Sequence, residues 1–167
     1  MVPKKILSTG NPVYFDKLAH GLSEVIPNID FISRSNGFDL DMSDIKNQKK
    51  FIEKIRGYNT FINLSWVRLE NQTKLLELIS ETWKFGHVIN IGSVSDQLPT
   101  DYGKDKLALR ELSLKLNTYR LRTTYIQLGE VTENQLNPKD VGELISWLIN
   151  SKFDVPIIGY EPEKAPW

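Results

Sequence analysis

The chain predicts an α/β fold, a doubly wound, Rossmann-like and mostly parallel sheet with helices on both faces, in one domain over 1–167. Three observations predict it. Short apolar runs alternate with amphipathic stretches along the whole chain. A length of 167 residues suits one domain with a sizeable core. The polar residues of interest fall just after the apolar runs, and in such sheets ligands sit at the carboxyl ends of the strands.

The elements follow in order. A short strand over 5–8 leads into Thr9-Gly10, and helical periodicity runs over 15–26 until Pro27 and Asn28 end it. The second strand covers 29–33. A turn at Ser35-Asn36-Gly37 precedes a short segment over 38–40. Ser43 or Asp44 caps a helix through 55, a strand covers 58–64, and a helix over 69–83 carries Leu75, Leu76, Leu78 and Ile79. The strand over 87–91 is followed by a helix that Thr100 or Asp101 caps, beginning at Tyr102 and reaching the region of Thr118. A strand over 123–128, a proline-led helix over 138–149 and a last strand over 155–159 complete the pattern.

Composition narrows the function classes. Lys+Arg and Asp+Glu balance at 21 each, which leaves no electrostatic footprint for nucleic acid or an anionic membrane. There is no cysteine, so disulfides, zinc–thiolate sites and thiol catalysis are excluded. Two histidines, His20 and His87, are expected on a helix face and in a turn, and no metal site is expected. No apolar run reaches membrane-spanning length, and a strand so close to the N-terminus leaves no room for a secretory signal; a soluble cytoplasmic domain is expected.

The most informative stretch is Ile89-Asn90-Ile91-Gly92-Ser93-Val94-Ser95, running on to Tyr102-Gly103-Lys104-Asp105-Lys106. An apolar segment ends in a serine, and a helix then presents tyrosine and lysine on one face at i and i+4. An ammonium beside a phenol favours the phenolate, so the Tyr102 pKa is expected to fall from its ordinary value of about 10. Such a tyrosine exchanges a proton with a carbonyl or alcohol oxygen. The Ser93 hydroxyl can hydrogen-bond the same oxygen.

This stretch resembles the active site of the short-chain dehydrogenases/reductases, in which a serine ending a strand precedes a Tyr-x-x-x-Lys helix. The resemblance extends along nearly the whole chain. Thr9-Gly10 resembles the start of the family's Thr-Gly-x-x-x-Gly-x-Gly turn. Arg34 follows the second strand, where the family often places a basic residue for the 2′-phosphate of NADP. Asp41 resembles the aspartate at the adenine, Ile62-Asn63-Leu64-Ser65-Trp66 the Asn-Asn-Ala-Gly segment, and Leu128-Gly129-Glu130-Val131 the Pro-Gly-x-Val segment beside the nicotinamide. Pro138-Lys139-Asp140-Val141 resembles the opening of its last helix.

The resemblance implies reversible hydride transfer between a nicotinamide dinucleotide and a small carbonyl or secondary alcohol. Tyr102 is the implied general acid/base, and Lys106 the residue that lowers its pKa and holds the ribose. Ser93 is the implied orienting hydroxyl. Asn71 stands in for the family's catalytic asparagine, or is a plain surface residue. NADP(H) is expected ahead of NAD(H), with no cofactor at all as the alternative. Helix packing across a two-fold through Leu75, Leu78, Trp83 and Leu109 is implied, hence a homo-oligomer, a dimer or tetramer. Trp66, Trp83 and Trp147 are expected in core or interface rather than stacked on a cofactor.

Departures from the family pattern support a second expectation. Aligned without a gap, the second and third glycines become Tyr14 and Asp16. Tyr14 would crowd the pyrophosphate. Asp16 would bring a carboxylate to it, or cap the helix. Ser93 and Tyr102 are closer in sequence than is usual, and the stretch from Gly129 to the last helix is too short for a substrate lid. The alternative is therefore a catalytically inactive binding or scaffold protein that keeps the fold.

Overall fold

In the computed structural model, residues 4–13, 16–129 and 136–161 are described. In chain order the elements are β1 (Ile6–Thr9), α1 (Lys17–Val25), β2 (Ile29–Ile32), α2 (Ile45–Ile55), β3 (Thr60–Asn63), α3 (Asn71–Thr82), β4 (Gly86–Ile91), α4 (Asp101–Leu116), β5 (Leu121–Leu128), α5 (Pro138–Asn150) and β6 (Ile157–Tyr160). Two 3₁₀ turns, Arg34–Asn36 and Val94–Gln97, follow β2 and β4. All six strands are parallel, in the order β2-β1-β3-β4-β5-β6.

Parallel strands covered on both faces read as continuous apolar runs, and their side chains alternate between two cores. Leu7, Phe61, Val88 and Tyr125 point to one face, where Phe51 and Ile55 of α2, Leu75 and Ile79 of α3 and Leu109 of α4 cover them. Ile6, Ile62, Ile89 and Ile126 point to the other face, under Ala19 and Leu22 of α1 and Val141, Ile145 and Leu148 of α5. On that face α1 meets α5 at Gly21 and Gly142: a Cβ on Gly142 would lie 2.7 Å from the Gly21 carbonyl oxygen, so only glycine admits this approach. Helix starts are capped as their residue types suggest, by Asp16, Asp44, Thr100 and Asn137, with Pro138 opening α5.

The strand order reverses between β1 and β3, and Thr9, Asn63, Ser93 and Gly129 all lie at or just beyond carboxyl strand ends. β2 is an edge of the sheet. Two expectations are corrected. His87 is not in a turn: it is buried in β4, its Nε2 2.9 Å from Thr124 Oγ1, and burial lowers its pKa to about 3. Leu75, Leu78, Trp83 and Leu109 are buried within this one chain and form no outward helix face.

Candidate active site

Ser93, Tyr102 and Lys106 converge at the carboxyl end of β4. Ser93 ends the strand, accepts from Ser95 N at 3.1 Å through its Oγ, and so starts the 3₁₀ turn. That turn returns the chain directly to α4, which is why nine positions from Ser93 to Tyr102 suffice. Thr100 caps α4 through Gly103 N at 3.0 Å and sets Tyr102 in the first turn, 37% exposed. One turn on, Lys106 passes beneath it, with Nζ 5.4 Å from the Tyr102 ring centroid.

Lys106 is buried, and two of its ammonium protons are committed, to Gln72 Oε1 at 2.5 Å and to the Ile91 carbonyl at 3.0 Å. Burial lowers its pKa to about 8, against the opposing pull of Asp105. The expected fall of the Tyr102 pKa is therefore corrected. Desolvation raises it, the hydroxyl of Ser93 opposes the rise, and the Asp105 carboxylate adds to it. The Lys106 ammonium is hydrogen-bonded to Gln72 and the Ile91 carbonyl, and burial, Ser93 and Asp105 set the direction of the Tyr102 shift.

Four residues outside the expected set shape this site. Gln72, at the start of α3, links the strand ends: its Nε2 donates to the Asn63 carbonyl at 2.8 Å while its Oε1 accepts from Lys106. Trp66 packs edge-on against Tyr102, ring centroids 5.4 Å apart, and is held by its indole N–H on Asp105 Oδ2 at 2.8 Å. The same carboxylate accepts from Glu70 N at 2.6 Å. Tyr125, fully buried, accepts from Ser93 N at 3.3 Å and lies 3.1 Å from Asp96 Oδ2. Nothing in the local sequence marks Gln72 or Tyr125, because both act from other elements.

The residues expected at a cofactor are dispersed into structural roles. Thr9 Oγ1 accepts from Leu64 N and Ser65 N at 2.9 and 2.8 Å, clipping β1 to the end of β3. Asn63 is buried and donates to the Gln72 carbonyl and to Asn90 Oδ1. Asn71 is neither a surface residue nor joined to the Lys106 contacts: it is buried, and its Oδ1 accepts from Met42 N at 2.9 Å. Arg34 is exposed, Nε 3.7 Å from Asp39. Asp41 is bonded by Ser43 and Arg68, with the Ser43 hydroxyl foremost in holding its carboxyl down at about 2. Gly129 N donates to the Tyr160 carbonyl at 3.0 Å. Tyr14, Glu130 and Val131 lie outside the described residues. Asp16 caps α1. A cleft of about 580 Å³ lies elsewhere, along α3 between Met42, Arg68, Asn71, Lys74 and Ala108, and neither Tyr102 nor Lys106 lines it.

Against solved structures the chain matches over almost its whole length. It is similar to a metagenomic short-chain oxidoreductase solved in complex with NADP, at 14% identity and a TM-score of 0.71, covering 96% of this chain and 98% of that one. The fold is that of the short-chain dehydrogenases/reductases. A glucose/ribitol-type short-chain dehydrogenase/reductase from Brucella melitensis aligns with a TM-score of 0.73 at 12% identity, covering 94% of each chain. Serine dehydrogenase from Escherichia coli aligns at 0.65 and 18% identity, covering 94% of this chain and 97% of that one. No family model matches the sequence, and no curated protein does.

The short-chain fold implies a nicotinamide dinucleotide, and the β1–α1 turn does not fit one as it stands. Two described amides of this turn, Asn11 N and Ala19 N, already donate to the Asp16 carboxylate, which puts a negative charge where a diphosphate would sit. Among the described residues no group of His, Cys, Asp and Glu is arranged to hold a metal ion, and no helix is long and apolar enough to cross a membrane.

Proposed function

We propose that this domain is an oxidoreductase of the short-chain type that acts on a carbonyl or secondary-alcohol substrate at Tyr102. The convergence of Ser93, Tyr102 and Lys106 at the end of β4, on this fold, carries the reading. Ser93 orients the substrate oxygen through its hydroxyl. Tyr102 exchanges the proton at that oxygen. A raised pKa keeps Tyr102 a phenol at neutral pH, so it is poised to protonate a carbonyl oxygen, the direction of reduction. Lys106 lies 5.4 Å from the Tyr102 ring centroid and is held by Gln72 and the Ile91 carbonyl, which takes it away from the ribose-holding role that the resemblance implies. NADP(H) ahead of NAD(H) remains the cofactor proposed, on Arg34 alone, and a homo-oligomer the proposed assembly.

The second reading is a binding or scaffold protein without turnover, and the carboxylate of Asp16 in the β1–α1 turn favours it. Calorimetric titration with NADPH, NADP, NADH and NAD separates the two, with a melt of each mixture as an independent check on binding. Binding that favours the phosphorylated cofactors, with carbonyl reduction abolished in Tyr102→Phe, supports the oxidoreductase. Absence of binding by all four at millimolar concentration sinks it.

A further inference from the structure

Gly10 closes β1 in the left-handed region, φ +125°, and its own N–H returns to the Ile32 carbonyl at 3.1 Å. The next amide, Asn11 N, donates to Asp16 Oδ2 at 3.3 Å. Ala19 N, in the first turn of α1, donates to Asp16 Oδ1 at 3.1 Å. One carboxylate therefore bridges the loop and the helix start, taking an amide proton on each oxygen. A strand-to-helix turn offers groups of this kind to phosphate, where the aligned helix dipole also favours negative charge. The space above Gly10 is filled as well: a Cβ placed there would lie 2.7 Å from Asp16 Oδ2. The chain supplies its own anion.

We propose that Asp16 is a built-in competitor for the diphosphate of a nucleotide ligand. Its carboxylate occupies two amide groups of the β1–α1 turn, Asn11 N and Ala19 N, and sets the site against doubly phosphorylated ligands, which must displace it and overcome its charge. The inference bears on the cofactor half of the proposed site, but its readout is binding and needs no turnover.

The test is calorimetry on the full chain with ADP, inorganic pyrophosphate and adenosine, for the native protein, Asp16→Gly and Asp16→Asn. Glycine is tolerated at a helix N-cap and frees the two amides that Asp16 holds; asparagine keeps the capping oxygen and removes the charge. Melting curves of both variants establish that they fold. ADP and pyrophosphate are expected to bind about tenfold or more tighter to Asp16→Gly than to the native chain, with Asp16→Asn between them. Adenosine, which carries no phosphate, should be indifferent to the substitution. ADP bound equally by native protein and Asp16→Gly overturns the proposal, as does folded Asp16→Gly that binds ADP no better than the native chain. NADPH separates this result from the fate of the enzyme reading. Binding only to Asp16→Gly upholds the competitor and removes the oxidoreductase. Tight NADPH binding to both proteins does the reverse.

Discussion

The β1–α1 turn and the β4–α4 segment lie on the same carboxyl edge of one parallel sheet, and their polar groups are used in different ways. At β4–α4 the polar residues are intact and held by neighbours: Ser93 by Tyr125, Lys106 by Gln72, Trp66 by Asp105. At β1–α1 the polar groups are turned inward, with amide donors satisfied by Asp16. In the proposed site the two halves therefore meet separate physical requirements. A proton-transfer group needs a positioned side chain with a tuned environment, whereas a phosphate site needs unspent backbone donors.

The largest expected effect tests the intact half. Tyr102→Phe should lower carbonyl reduction by about a hundredfold or more, with an unchanged melting temperature; retained activity would remove Tyr102 from the site. The next concerns Lys106. Its folded pKa, about 8, lies below the ordinary 10.5, so between those values the unfolded chain binds more protons than the folded one. Stability should therefore rise as pH increases through about 8 towards 10, by at most about 3 kcal/mol. Above about 10 the raised pKa values of Tyr102 and Tyr125 act in the opposite direction. In Lys106→Met most of the rise should disappear from the pH-dependent denaturation curve, leaving the part that the lowered pKa of Lys4 supplies.

A smaller effect probes the support of Ser93. Tyr125→Phe keeps the ring that packs under Gly92 but leaves Ser93 N and the buried Asp96 each short of one partner. Urea denaturation should show a loss of about 1–3 kcal/mol, and turnover should fall although the residue touches no substrate. Smallest is Asp16→Ala, which removes the cap of α1 and should cost about 1 kcal/mol. A much larger loss would mean that the carboxylate organises the turn rather than merely filling it.

The sheet, its parallel sense and most helix starts were legible because each rests on local chemistry. Elements bounded by Pro27-Asn28, by a cap at Ser43 or Asp44 and at Thr100 or Asp101, or by Pro138 at a helix start declare themselves within a few residues. The site was legible only in part. Tyr102 and Lys106 share a helix turn, so their proximity follows from spacing. The direction of the Tyr102 shift does not, because it depends first on desolvation by the folded chain, opposed by the Ser93 hydroxyl and reinforced by Asp105. Asn71 illustrates the same limit. A position one residue from Gln72 on α3 turns its side chain to Met42 rather than to the lysine.

The sequence by itself determined the order of elements, the face that carries Tyr102 and Lys106, and the presence of a carboxylate at the start of α1, since periodicity, capping and i,i+4 spacing are properties of neighbouring residues. Tertiary structure alone decided where that carboxylate's hydrogen bonds go, which carbonyls hold the lysine, and how far the phenol is desolvated. Those depend on groups from distant parts of the chain meeting at one sheet edge, and burial there sets both the strength of each interaction and the protonation state it favours.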